Sequence, residues 1–220
     1  MTDHSHADLA HKSDPSLDRL LFFSDGVFAI AITLLSIELH VPHGWDGTFA
    51  NLVNAGWPMF GAFLISFAVI GVLWNAHRRA FLKMTRFTSG VFLFNMLVLA
   101  GIALMPFATQ LLYVNGPRGE AVAIYLALVS AIGLSQGLAY GYAAFIADAV
   151  RPRQHWTLRL SAFLMQALMP GLCSGLTLLY IGFLYGQAPL SVVIALAVAL
   201  AALIGFRVLV AKRFGPRVAA

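Results

Sequence analysis

Six apolar stretches constrain this chain more than any other feature, because each is long enough to cross a lipid bilayer as a helix. The hydrocarbon core of a bilayer is about 30 Å thick, and a helix needs about 20 apolar residues to span it. Short segments rich in Gly, Pro and Arg separate the stretches and mark turns. The predicted spans are residues 18–40, 54–77, 88–113, 120–149, 156–185 and 189–211.

Composition supports the same fold class. The chain is 60% hydrophobic and only 10% charged, whereas a soluble domain carries about 25% charged residues. These figures exclude a disordered chain and an ordinary soluble enzyme. We therefore predict an all-α integral membrane protein with six transmembrane helices. A polar tail (1–16) would precede a single membrane domain (17–213), and a short tail (214–220) would follow it.

The basic residues predict the orientation in the membrane. Of the 14 Lys and Arg residues, all but Arg118 fall on one side of the predicted spans. The positive-inside rule places that side, with both termini, in the cytoplasm. The positive net charge thus reflects topology, and no folded basic domain is present to bind nucleic acid.

The first span carries an intramembrane carboxylate, Asp25, about 18 Å of helix away from Glu38 at the outer end. A carboxylate at this depth should face protein or water rather than lipid. Polar residues of the second and third spans lie at the same cytoplasmic depth. We predict a buried polar network of Arg19, Asp25, Trp74, His77 and Asn95. Interfacial anchoring by Trp and Arg is an equally open alternative.

Helical periodicity separates two faces of the first span. At about 100° per residue, Asp25, Phe28 and Ile32 lie roughly opposite a bulky aliphatic stripe that contains one hydroxyl. Ordinary helix packing would produce the same stripe, so periodicity alone assigns it no function. The stripe consists of Ile30, Thr33, Leu34, Ile37 and Val41.

Two long motifs resemble the transmembrane protein 175 family. Residues 19–38 read RxxxFSDGVFAIxITLLxIE, and residues 66–81 read SFxxIGxxWxxHRRxF. Asn95, followed by LMPFAT at 104–109, extends the resemblance into the third span. The resemblance is specific over about residues 19–110. It implies a potassium-permeable channel of the bacterial plasma membrane, in which the first helix of each subunit lines the central pore of a homotetramer.

The resemblance also assigns roles to residues. It implies that Ile30 forms the pore constriction, that Thr33 lines the pore beside it, and that Leu34 and Ile37 narrow it further. The residues that would hold the pore helix in place are Arg19, Phe23, Ser24, Asp25, Trp74, His77 and Asn95.

The predicted mechanism is passive flux of K⁺ with modest preference over Na⁺. The chain lacks the carbonyl-lined loop of ordinary potassium channels. An aliphatic ring at Ile30 offers a cation no ligand, so the ion must shed water, which K⁺ does more cheaply than Na⁺. Glu38 would attract cations to the outer mouth. The expected partners are the bilayer, monovalent cations and further copies of the chain, and no cofactor is expected.

Two other function classes remain as alternatives. A secondary or proton-coupled transporter could use Asp25, Glu38 and His77 as a relay. It would favour an internal repeat, and none is evident between the two halves of the sequence. An enzyme is not expected, because no catalytic motif is found. A metal site is not expected either, because His40 and His43 lack a matching acidic or thiol ligand set.

Overall fold

The computed structural model of the chain describes residues 14–42, 44–114 and 119–150, together with isolated positions between 156 and 182. Four apolar helices long enough to cross a membrane form this part of the chain. They are α1 (Pro15–Ile37), α2 (Phe49–Phe81), α3 (Ser89–Val114) and α4 (Gly119–Gly141), and a π-helical turn at Tyr142–Ile146 follows α4. The described chain is thus an all-helical membrane protein. The predicted span at 189–211, and most of the one at 156–185, lie outside the described residues.

Local sequence signals explain where the helices begin. The Asp14 side chain caps α1 by accepting from the backbone N–H of Ser16, and Pro15 occupies the first turn, where no N–H is needed. Thr48 caps α2 in the same way, so this helix begins at residue 49, five residues before the predicted start of its span. Polar residues in the first turns of α2 hid this start from a search for apolar runs. At 33 residues α2 is about 50 Å long, more than the hydrocarbon core requires.

The bundle is organised around α3, which packs against α1, α2 and α4 and lies closest to α4. Close approach to α4 depends on Gly101, because a Cβ at this position would overlap the side chain of Ile132. The buried apolar side chains form two clusters at different depths. The larger includes Phe28, Leu35, Ile70, Val98 and Ile102, and the smaller includes Leu17, Leu20, Phe81, Val91 and Tyr140.

Helix α1 has one covered and one uncovered face in the described chain. Its buried residues recur at helical spacing and face α2 and α3. The side chains between them are exposed or half-buried, and the exposed ones include the large apolar Phe22, Ile30 and Leu34. The buried residues of α1 are Leu17, Leu20, Ser24, Phe28, Ala31 and Leu35.

Candidate functional site

A chain of hydrogen bonds joins α1, α2 and α3 between the two apolar clusters. His77 Nε2 lies 2.7 Å from Asn95 Oδ1, and Asn95 Nδ2 donates to Ser24 Oγ at 3.0 Å. Ser24 Oγ in turn donates to the backbone oxygen of Leu20 at 2.7 Å. His77, Asn95 and Ser24 are each at most 2% exposed. One buried polar network therefore joins the three helices.

Donors and acceptors alternate consistently along this chain. Because Asn95 Oδ1 can only accept, the hydrogen on the contact with His77 belongs to Nε2, given the amide orientation in the structure. The imidazole also stacks on Phe81, with ring centroids 4.4 Å apart, and lies 5.4 Å from the ring of Phe28. The buried Nδ1 of His77 has no hydrogen-bond partner among the described residues. The bonds that are made favour one arrangement of the three helices, because breaking any of them would leave a further buried group unpaired in a low-dielectric interior.

Asp25 makes a separate contact one position along α1. The indole Nε1 of Trp74 donates to Asp25 Oδ1 at 2.8 Å. The carboxylate is half-buried and the indole is 37% exposed, so this bond lies at the edge of the bundle. The structure thus brings five of the seven predicted packing residues into contacts between α1, α2 and α3.

The other two predicted packing residues lie elsewhere. Arg19 and Phe23 are on the uncovered face of α1, where they line an open groove together with Gly26 and Ile30. Phe23 is 55% exposed. Helical spacing explains the difference, because positions 19, 23, 26 and 30 share one face while Ser24 points to the opposite one.

The predicted pore-lining stripe lies on this same uncovered face. Ile30 is 60% exposed, Leu34 40% and Ile37 73%, and Thr33 between them is also exposed. By contrast Ala31, directly after Ile30, is 1% exposed. The stripe is therefore available to line a water-filled path or to contact another subunit.

The hydroxyl of Thr33 is held by its own helix. Thr33 Oγ1 donates to the backbone oxygen of Ile30 at 2.8 Å, and Ser36 Oγ donates to that of Thr33 at 2.7 Å. Because each hydrogen is used in a backbone contact, each hydroxyl oxygen presents its lone pairs outward. This orientation suits contact with a cation or with the hydrogens of its water. Sequence reasoning missed Ser36, whose position three residues after Thr33 was the available signal.

Glu38 is held by contacts with α3 and is not freely solvated at the end of α1. Its carboxylate is half-buried and accepts from Gln110 Nε2 of α3 at 3.1 Å, while Tyr113 OH reaches its backbone oxygen at 3.5 Å. Gln110 and Tyr113 were not predicted as site residues. Their signal was a pair of polar side chains near the end of an apolar span.

A buried hydroxyl cluster near the end of α3 was also not predicted from the sequence. Thr109 Oγ1 contacts Ser66 Oγ at 2.7 Å, and Ser66 Oγ lies 3.1 Å from Tyr125 OH. These contacts join α2, α3 and α4. Among the described residues, no group of three or more His, Cys, Asp or Glu side chains is arranged to hold a metal ion.

The fold and this site define a class of protein: a polytopic membrane protein whose first helix makes polar contacts on one face and, within the described part of the chain, is exposed on the other. Residues 19–106 match the family described as endosomal/lysosomal potassium channel TMEM175. This segment contains both motifs, and the match confirms their resemblance to the TMEM175 family.

Relatives extend the comparison. A Streptomyces collinus protein named potassium channel is 37% identical over 122 residues, 53% of this chain and 59% of that protein. A Rattus norvegicus protein named endosomal/lysosomal proton channel TMEM175 is 37% identical over 116 residues, 48% of this chain and 23% of that protein. The match thus spans little more than half of the bacterial relative and about a quarter of the animal one.

A solved structure resembles most of the chain. It is the crystal structure of a TMEM175 homologue from Chamaesiphon minutus, described as a lysosomal potassium-selective channel homologue. The two chains are 29% identical and superpose with a TM-score of 0.64. The likeness covers 88% of this chain and 97% of that one.

Proposed function

We propose that this chain is one subunit of a passive, potassium-permeable cation channel in a bacterial plasma membrane. Four copies, each with six transmembrane helices and both termini in the cytoplasm, would surround a pore lined by α1. The names of the bacterial relatives and of the solved homologue support the potassium channel class. The likeness to nearly the whole length of the solved homologue supports a matching architecture beyond the described helices.

One observation carries the proposal: a single helix presents Ile30, Thr33, Leu34 and Ile37 on its uncovered face while polar contacts hold its opposite face. A pore helix needs this division, because its lining must be free and its position must be fixed. One such helix in each subunit cannot enclose a path alone, so several copies must form a ring.

Selectivity would arise from dehydration and from the hydroxyls beside the narrowest point. Aliphatic rings at Ile30, Leu34 and Ile37 give a cation no ligands, and a narrow apolar neck can also close by losing its water. Outward lone pairs of Thr33 would then contact the ion or the water it sheds. Such a filter should favour K⁺ over Na⁺ only modestly.

A proton pathway is the second candidate, because the animal relative is named a proton channel. In this chain the three groups of the proposed relay make their hydrogen bonds to different partners. Asp25 accepts from Trp74, His77 contacts Asn95 and Glu38 accepts from Gln110. This separation favours structural roles for these groups over a continuous relay.

Reconstituted vesicles distinguish the candidates. We expect a K⁺ gradient alone to drive flux. Under a bi-ionic K⁺/Na⁺ gradient, the reversal potential should be shifted from zero towards the equilibrium potential of K⁺. Initial rates should rise without saturation at moderate K⁺ concentration. Saturable K⁺ movement that requires a pH gradient would contradict the channel and support a proton-coupled transporter.

A further inference from the structure

The first turn of α1 is tied to the segment between α2 and α3 by one carboxylate. Asp14 Oδ1 accepts from the backbone N–H of Ser16 at 2.9 Å, and Asp14 Oδ2 accepts from the backbone N–H of Phe87 at 2.7 Å. Both distances are typical of bonds to an ionised acceptor. One side chain therefore caps α1 and holds a second backbone segment at the same time.

The second segment leads directly into α3. Thr88 follows Phe87 and precedes the first residue of α3, and its backbone oxygen accepts from Phe92 N at 3.0 Å. Helix N-termini carry a positive partial charge, so a carboxylate between two of them is favourable to both. Asp14 thus lies between the N-termini of α1 and α3.

The α2–α3 linker (residues 82–88) is itself fixed to the end of the α4 region. The backbone N–H of Thr85 donates to Ala149 O at 2.8 Å, and the Thr85 hydroxyl reaches the same oxygen at 3.2 Å. Arg86 donates to Ala147 O. A tie from Asp14 to this linker therefore fixes α1 against α2, α3 and the segment after α4 together.

The charge state of Asp14 suits a permanent contact. The backbone N–H of Phe87, followed by that of Ser16, lowers the pKa of Asp14 below its ordinary value of 3.8. A carboxyl with a lowered pKa contributes stability above its unfolded pKa and loses it as the pH falls through the folded one. The carboxylate is therefore ionised, and the contact intact, in neutral and mildly acidic solution.

We propose that Asp14 is a positioning residue for the pore helix: its carboxylate clasps the first turn of α1 to the α2–α3 linker and so sets the placement of the pore-lining stripe. This Asp14 clasp rests on the proposed function. It acts at the helix end opposite Glu38, about four turns away from the proposed constriction at Ile30. The clasp should therefore control how much of the time the pore conducts, without changing which ions pass.

Asp14→Ser separates capping from clasping. Serine is as good an N-cap as aspartate, but its single, shorter hydroxyl cannot serve both Ser16 N and Phe87 N. Asp14→Asn is a second variant, because its amide has one acceptor oxygen where the carboxylate has two. Asp46→Asn is the matched control: in the described chain Asp46 accepts from Thr48, two residues further along the same loop, so the variant loses the same charge without breaking a contact between distant segments.

The experiment combines amide hydrogen exchange with flux measurements on full-length protein in vesicles. In Asp14→Ser and Asp14→Asn we expect exchange at the Phe87 amide to rise about tenfold. We expect K⁺ flux to fall about threefold at an unchanged K⁺/Na⁺ reversal potential, with unchanged oligomer yield. Asp46→Asn should match the wild type in Phe87 exchange and in flux.

Three results would overturn the clasp: slow exchange at Phe87 in both Asp14 variants, faster exchange with unaltered flux, or a shifted reversal potential, which would mean that the Asp14 charge acts on the ion directly. Failure of the proposed function is distinguishable, because wild-type vesicles would then carry no K⁺ flux driven by a K⁺ gradient alone.

Discussion

The two faces of α1 use hydrophobic residues for different purposes. On the covered face Phe28 and Ala31 are each 1% exposed and pack beside the hydrogen-bonded Ser24 and Asn95. On the other face Ile30 and Ile37 are 60% and 73% exposed, although they are equally apolar. The two faces thus separate the part of α1 that packs against the other described helices from the part that these helices leave exposed.

The polar residues inside this bundle join helices to one another. Ser24, His77 and Asn95 are linked between two apolar layers, although the buried Nδ1 of His77 has no hydrogen-bond partner among the described residues. Ser24 donates to its own backbone and also accepts from Asn95, whereas Thr33 and Ser36 on the uncovered face donate to their own backbone and accept from none of the other described helices. Changes on the first face should therefore alter assembly, and changes on the second should alter ion passage.

The largest effect is expected from Asn95→Leu on the covered face. This change leaves the His77 Nε2–H and one lone pair of Ser24 without partners in the interior, at a cost of about 2–4 kcal/mol. The melting temperature and the yield of assembled protein in detergent should both fall. Asn75→Leu, at an exposed position of α2, is the control and should leave both near the wild-type values. A stable Asn95→Leu protein would show that the buried contact does not hold α1.

A smaller effect, confined to ion passage, is expected from Ile30→Asn. Replacing an exposed aliphatic side chain by an amide gives the narrowest ring ligands and water, so relative Na⁺ permeability should rise about tenfold. Thermal stability should change little, because the side chain is mostly exposed. Bi-ionic reversal potentials measure the first quantity. Unchanged selectivity together with unchanged conductance would remove Ile30 from the constriction.

The smallest effect is expected from Thr33→Ala, with Thr33→Ser as its control. Removing the hydroxyl oxygen should lower the K⁺/Na⁺ permeability ratio about two- to threefold, whereas Ser keeps the oxygen and should preserve the ratio. Equal ratios in the wild type and in Thr33→Ala would assign selectivity to the aliphatic rings alone.

The sequence predicted much of this arrangement because its signals are local. Long apolar runs identified the four described helices, and helical periodicity placed Ile30, Leu34 and Ile37 opposite Phe28. The motif resemblance grouped Ser24 with His77 and Asn95, which periodicity within one helix cannot do. The role of the stripe in a pore stays a prediction.

Other features depend on tertiary contacts that one-dimensional patterns do not contain. Arg19 and Phe23 belong to the motif that contains Ser24, yet their helical angle turns them to the uncovered face. The clasp between Asp14 and Phe87 joins residues 73 positions apart through a backbone N–H. A backbone donor has no residue type, so sequence reasoning could not have found it.

Thiol accessibility at two neighbouring positions of α1 shows whether Ile30, unlike Ala31, faces a water-filled ion path. Cys173, the single cysteine of the sequence, would first be replaced by serine. Vesicles that contain this protein with either Ile30→Cys or Ala31→Cys would then be treated with a small, positively charged thiol reagent during K⁺ flux. A thiol reacts as its thiolate, which needs water, so a lipid-facing cysteine and a packed one are both protected. We expect rapid modification and block of flux for Ile30→Cys, and neither for Ala31→Cys. Protection of Ile30→Cys, or modification without any change in flux, would contradict this expectation.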